Sequence, residues 1–208
     1  MSSAMVDQPH ESRLKLLDAA LQVIRSRGYA GTRVDDVCAA AGLTKGSFFH
    51  HFESKEALAI AAAAHFAAKA DARFAQASFQ EARNPVDRVL GYVDFRSAIA
   101  SGDLASFTCL LGTMVQEAYR THPMIREACE AHIDDHAATV AHDIDVARAR
   151  NAPDAPWSSD SMALFTQAVL QGAFVLAKAK QDPAVVADCL AHLRRYLAHE
   201  LAPRNPSD

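Results

Sequence analysis

The chain has 208 residues, half of them apolar and 22% charged, with a net charge of −4 at pH 7. That length holds one or two domains with a real hydrophobic core, and no run of about 18 uncharged apolar residues marks a membrane span. The opening MSSAMVDQPHES lacks the basic start and apolar middle of a signal peptide, and Cys38, Cys109, Cys129 and Cys189 are too scattered for a disulfide framework or a zinc site. A cytoplasmic protein without metal or cofactor is expected.

The first predicted helix carries Leu14, Leu17, Leu21 and Ile24 on one face, with Ala20 and Val23 beside them. Gly28 closes it, and Tyr29 is the apolar residue that often follows such a cap. Thr32 is placed to cap the next helix, with Asp35 and Asp36 at its positive end. That helix, in RVDDVCAAA, repeats apolar residues at Val34, Val37, Cys38 and Ala41. Gly42 stands where a left-handed residue ends a helix without steric penalty, and Thr44 caps a new helix two residues later.

The helix that follows Thr44 is too short to bury much. Phe48 and Phe52, four apart, anchor it, which leaves Thr44, Lys45, Ser47, Phe49, His50 and His51 as outward donors and contact groups, with Gly46 allowing close backbone approach. Such a helix suits the major groove, where cations and hydroxyls meet phosphates and base edges. The motif is a helix-turn-helix. Thr32 and Arg33 at the start of the preceding helix join it as candidate DNA contacts, and so does Lys55, the first residue of a long alanine-rich helix that Ser54 caps.

Charge agrees with this placement. Residues 1–55 carry seven Lys and Arg against six Asp and Glu, a net of +1, which leaves −5 for the remainder. Because physiological salt screens charges beyond about 8 Å, a local basic patch binds phosphate in an acidic protein.

Residues Leu14 to Ala62 resemble the N-terminal domain of the tetracycline-repressor (TetR) family of bacterial transcription regulators. The matching text is LLDAALQVIRSRGYAGTRVDDVCAAAGLTKGSFFHHFESKEAL, about a quarter of the chain. It follows a family pattern close to G-(V/L)-(S/T)-x-G-x-(L/F)-Y-x-(H/Y)-F-x-x-K-x-x-L. Phe49 stands where most members carry Tyr, so the hydroxyl that commonly reaches a phosphate is missing, and Val37-Cys38 replaces the usual Ile-Ala. The resemblance implies an all-α fold with a three-helix DNA-binding domain, expected at residues 1–57, and a helical effector-binding and dimerisation domain at 58–208.

Beyond Lys55 the sequence predicts helices near 55–80, 86–101, 103–120, 124–150, 160–180 and 184–200, with no strand. Pro85, Pro123 and Pro183 are placed as first helical residues, and NAPDAPWSSD at residues 151–160 is the one substantial loop. No catalytic set is present. His132 and His136 are four apart on a helix but lack a third metal ligand, and a solvated face shared with Asp134 and Asp135 is expected for them in preference to a metal site.

Phe66, Phe95, Phe107, Met114, Tyr119, Phe165 and Phe174 fall on apolar faces of several helices, which suits a packed core or a lined cavity alike. The resemblance implies the cavity, since TetR-like C-terminal domains hold a small effector between their helices, with Tyr119 or Gln167 orienting it. Cys109, in SFTCLLG, is a core residue or, as in some TetR-like regulators, a sensor of electrophiles or oxidants. In the last two helices Leu164, Ala168 and Gly172, then Val186, Leu190, Leu193 and Leu197, form stripes broad enough for a homodimer interface. The expected whole is a homodimeric regulator of a near-palindromic double-stranded operator, a repressor released by a small molecule, with activation the alternative. A helical enzyme and an architectural DNA-binding protein without effector control are the competing classes.

Overall fold

The computed structural model describes residues 8–203, and every regular element among them is helical. In order these are α1 (Gln8–Arg27), α2 (Val34–Ala41), α3 (Lys45–His51), α4 (Lys55–Ala75), a 3-10 turn (Ser78–Glu81), α5 (Pro85–Ile99), α6 (Leu104–Phe107), α7 (Leu110–Ala118), α8 (Pro123–Asn151), α9 (Ser159–Lys180) and α10 (Ala184–Glu200). The chain forms two compact units. One takes in the chain up to Ala70 together with Cys109–His132; the other comprises Asp71–Thr108 and the chain from Ile133 onward.

In the first unit α1 packs against α2, α3 and α7. Its buried face centres on Leu16, Leu17, Ala20 and Ile24, and Leu14, expected on the same stripe, lies at the edge and is exposed. Gly28 ends α1 in the left-handed region at φ +78°, and a side chain there would also collide with the Glu117 carboxylate of α7. That carboxylate accepts the Ala30 N–H at 2.8 Å, so α7 holds the turn after α1. Gly42, at φ 65°, ends α2 as the sequence indicates, and the Leu43 N–H reaches back to the Cys38 carbonyl at 2.9 Å.

In the second unit α10 packs against both α9 and α5, and α5 against the 3-10 turn. Gly91 makes that last contact feasible, because an added Cβ would stand 2.6 Å from Cβ of Phe79. α9 is long and apolar enough to cross a membrane by length and composition. Its apolarity has a second source in the fold: Met162, Ala163, Leu170, Ala173, Phe174 and Ala177 are buried, and Leu164, Phe165, Val175 and Leu176 lie outside on the opposite face.

Three expectations of the sequence are corrected. The helix placed at 55–80 stops at Ala75 and gives way to the 3-10 turn. The one placed at 103–120 is two helices, because Asp103 accepts the Ala105 N–H to start α6 and the Cys109 sulfur accepts the Gly112 N–H at 3.5 Å to start α7. Pro183 precedes α10 as its N-cap instead of opening it, while Asp182 takes the Ala184 N–H at 2.9 Å.

Candidate nucleic-acid interface

The turn and short helix of the motif are fixed by local chemistry. Thr44 accepts the Ser47 N–H on its hydroxyl at 3.2 Å, which satisfies one of the orphan donors at the start of α3. Phe48 is completely buried and Phe52 nearly so, their ring centroids 5.8 Å apart, and these two pin the helix to the unit. The opposite side faces out. Thr44, Lys45, Gly46, Phe49 and His50 are exposed, and Ser47 and His51 are half-buried. An added Cβ at Gly46 would meet only the Thr44 hydroxyl, 3.6 Å away, so nothing within the chain demands glycine there.

α1 completes this surface in a way the sequence did not reveal. Glu11, Ser12 and Lys15 line one depression with Leu43, Ser47, His50 and His51, and the Ser12 hydroxyl lies 2.6 Å from His51 Nε2. The only signal was the polar, basic run ESRLK beside a motif already assigned to other helices. Burial, with help from His50 and Arg13, holds the His51 pKa below the usual histidine value. That direction favours the neutral imidazole, a hydrogen-bonding group, over the cation. Lys45 pairs with Asp35 at 2.9 Å, and that hydrogen bond raises its pKa; both side chains are well exposed, so the pair is open to exchange for a phosphate.

Two of the candidate DNA contacts have other tasks. Thr32 is buried and donates its hydroxyl to the Gly28 carbonyl at 2.6 Å. The residue that caps α2 is Arg33, whose N–H donates to Asp36 at 3.0 Å and whose side chain is exposed. Lys55 points inward: its ammonium donates to the carbonyls of Tyr29 and Thr32 at 3.0 and 3.1 Å and stands 4.2 Å from the Tyr29 ring centroid. It ties the start of α4 to the turn after α1.

Residues 16–62 match the family of bacterial regulatory proteins, tetR family, and residues 85–193, more than half of the chain, match the tetracyclin repressor-like C-terminal domain. The chain belongs to the TetR family of transcription regulators. It is similar along nearly its whole length to a TetR transcriptional regulator from Chloroflexus aurantiacus J-10-FL, with a TM-score of 0.82, 30% identity and coverage of 94% of this chain and 98% of that one. The transcriptional repressor DhaR of Mycobacterium sp. strain GP1 is 53% identical over 45 residues, 22% of this chain and 23% of DhaR. The chain thus spans about a quarter of the length of the curated relatives DhaR and CymR. The reduced form of NemR from E. coli shares the fold, at a TM-score of 0.77, 24% identity and coverage of 89% and 96%.

The expected effector residues of this TetR-family chain divide between the two units. Phe66, Cys109, Met114 and Tyr119 belong to the first, and Phe95, Phe107, Phe165, Gln167 and Phe174 to the second. Met114 is fully buried core, Tyr119 is 54% exposed, and Phe66 lies under the Arg25 guanidinium. Phe165 is 44% exposed and packs edge-on against Tyr196, because it sits on the outward face of α9. Phe107 and Phe174 pack on each other at 6.3 Å. A cavity does exist in the second unit, but its lining is Asp71, Phe74, Ala75, Phe79, Gln80, Val89, Tyr92, His136, Thr139, Val140 and Asp143. None of the nine expected residues is in that lining, although Gln167 and Phe95 touch it, the first donating to Tyr92 and the second packing edge-on against Phe74 and tilted against Phe79. The aromatic count pointed to a pocket, whereas its position depends on which helix faces meet, and that is a tertiary property.

The dimer stripe divides as well. Leu164, Ala168 and Gly172 of α9 are exposed, whereas Val186, Leu190, Leu193 and Leu197 of α10 are buried within the chain against α9 and α5. Cys109 is half-buried at the start of α7, while burial and the neighbouring Cys109 push the Cys129 thiol up to about 12, so Cys129 stays protonated.

Proposed function

We propose that this TetR-family regulator is a cytoplasmic, homodimeric repressor. It binds a near-palindromic double-stranded operator through α3 and leaves that operator when a small molecule occupies its second unit. The observation that carries the reading is a seven-residue helix pinned by Phe48 and Phe52, with Lys45, Gly46, Ser47, Phe49 and His50 left facing outward. A packed-core helix of that length has no use for such a face. Thr44, Lys45 and Arg33 supply donors to phosphates, and Ser47, His50 and His51 lie nearest to base edges.

One α3 buries little surface, so a second copy is needed for useful affinity and matches the two-fold symmetry of a palindrome. The outward face of α9, with Leu164, Phe165, Ala168, Gly172, Val175 and Leu176, supports self-association there. Release by an effector is a population shift, limited by the effector's preference for the conformation that does not fit DNA.

The test is footprinting on the DNA flanking the gene. Protection of two half-sites about one helical turn apart is expected, as is loss of protection when Ser47 and His50 are both replaced by Ala. Uniform coating of any DNA, with no protected site, would leave an architectural protein; no binding at all would reopen the case for an enzyme.

A further inference from the structure

The cavity of the second unit has a volume of about 170 Å³ and lies between the end of α4, the 3-10 turn, α5 and α8. Phe74, Phe79, Val89, Tyr92 and Val140 are buried and form its interior, while Asp71, Ala75, Gln80 and Thr139 stay exposed at its rim. The arrangement is an apolar chamber with a way in. Its size is informative, since an apolar protein cavity of about 150 Å³ accepts benzene. One six-membered ring with a small substituent fills it.

The rings in the lining are set for aromatic contact. Phe74 lies 5.6 Å from Tyr92 and 5.0 Å from His136, and Phe79 stands edge-on to Tyr92 at 6.0 Å. Charge narrows the ligand from both sides. Among the described residues the lining holds two carboxylates, Asp71 and Asp143, and no cation, with Asp143 already paired to Arg88 at 3.2 Å. Arg96 offsets the second carboxylate, its guanidinium 5.4 Å from the Phe74 ring centroid, so two carboxylates face two guanidinium groups about the chamber and neither a full anion nor a full cation gains a net partner there. Burial, and then the charge of Arg96, lower the His136 pKa to about 4, so the imidazole itself is neutral.

One polar relay crosses the chamber wall. Gln167 donates its amide N–H to the Tyr92 oxygen at 3.2 Å, and the same oxygen lies 3.0 Å from His136 Nε2. With Nε2 engaged by Tyr92, the neutral imidazole has Nδ1 as its second hydrogen-bonding atom, a donor in the tautomer in which Tyr92 donates to Nε2.

We propose that this cavity is the effector site and that it takes an uncharged, monocyclic aromatic compound bearing one hydroxyl or carbonyl oxygen, with the ring among Phe74, Phe79 and Tyr92 and the oxygen toward His136. The assignment rests on the reading of the protein as a ligand-released repressor. Its specificity comes from the relay: a ligand without the oxygen leaves the imidazole donor unmatched, and one with a full charge is excluded.

The experiment uses phenol, toluene, benzoate and benzylamine with the full-length protein, reading binding by calorimetry and operator release by gel shift. Phenol is expected to bind and to release the operator, with toluene weaker by about ten-fold, the ratio set by one hydrogen bond, and with no binding of benzoate or benzylamine. His136→Phe keeps the ring packing and should abolish the preference for phenol over toluene while toluene still binds. Val89→Phe should fill the chamber and abolish phenol binding; because it acts in the core, Ala75→Phe at the exposed rim provides the same blockade without repacking. Benzoate binding as tightly as phenol, or phenol binding undiminished by Ala75→Phe, would overturn the site. Phenol that binds without releasing the operator would overturn its role as effector site. Release of the operator by other small molecules that leave the cavity unoccupied would overturn it too, while the repressor reading stood.

Discussion

α9 and α10 read alike in the sequence, as adjacent helices with apolar stripes, and the fold uses them differently. The stripe of α10, Val186, Leu190, Leu193 and Leu197, is buried entirely within the chain, because a narrow arc repeating at four and three fits the seam that α9 and α5 offer. α9 buries its own stripe and still exposes Leu164, Phe165, Val175 and Leu176 across from it. The width of the apolar arc, more than its hydrophobicity, separates a helix that only holds a core from one with surface left for a partner.

The largest expected effect breaks this comparison at α10. Leu190→Glu places an unpaired charge at a side chain 1% exposed and should destabilise the fold by at least about 4 kcal/mol, a large part of a typical domain's stability. Gly172→Arg on α9 should do the reverse. An added Cβ at Gly172 meets nothing within 4 Å inside the chain, so its melting temperature should stay near that of the wild type while sedimentation shows a monomer. A folded Leu190→Glu dimer beside an unfolded Gly172→Arg variant would invert the argument.

A second prediction sharpens the contrast between buried and exposed chemistry within the same unit. With its pKa near 4, native His136 stays neutral where a histidine of the unfolded chain, near 6.5, takes up a proton. The unfolded state then binds more protons between those values, so stability is unaffected above about pH 6.5 and falls as pH drops toward 4, by about 3 kcal/mol in full. Denaturant titrations at several pH values should show this slope in the wild type and a flatter one in His136→Phe. Equal slopes would mean that the imidazole is not held neutral.

These tests also mark where the sequence was legible. Gly28, Gly42, Thr44 and Ser54 act as the caps their types and positions imply, because a cap is a transaction between residues two to four apart. The helix-turn-helix is made of such local signals and could be read from them, except that Arg33 caps α2 where the sequence pointed to Thr32. The cavity could not. Tyr92, His136 and Gln167 are separated by 44 and 75 positions, and periodicity assigns each to a helix without saying which helix it faces. The break at Thr108–Cys109 was missed for a related reason, since it depends on a cysteine sulfur serving as a cap.

The smallest effect compares two lysines that the motif treats as equivalent. Lys45 is 61% exposed on the outer end of α3 and pairs with the exposed Asp35, whereas the Lys55 ammonium is committed to two backbone carbonyls and the Tyr29 ring. A phosphate contact releases about 0.9 counterion, so Lys45→Ala should lower the slope of log affinity against log salt by nearly one unit and weaken all DNA sequences alike. Lys55→Ala should leave that slope unchanged and instead lower stability by about 1 to 2 kcal/mol, because the Tyr29 and Thr32 carbonyls lose a charged donor. Gel shifts across a salt series, run beside thermal melts, separate the two outcomes. A full unit lost from the slope in Lys55→Ala, with its melting temperature intact, would show that this ammonium leaves its carbonyls for the DNA. An unchanged slope in Lys45→Ala would mean that Asp35 keeps its partner and that α3 meets the groove through its neutral face alone.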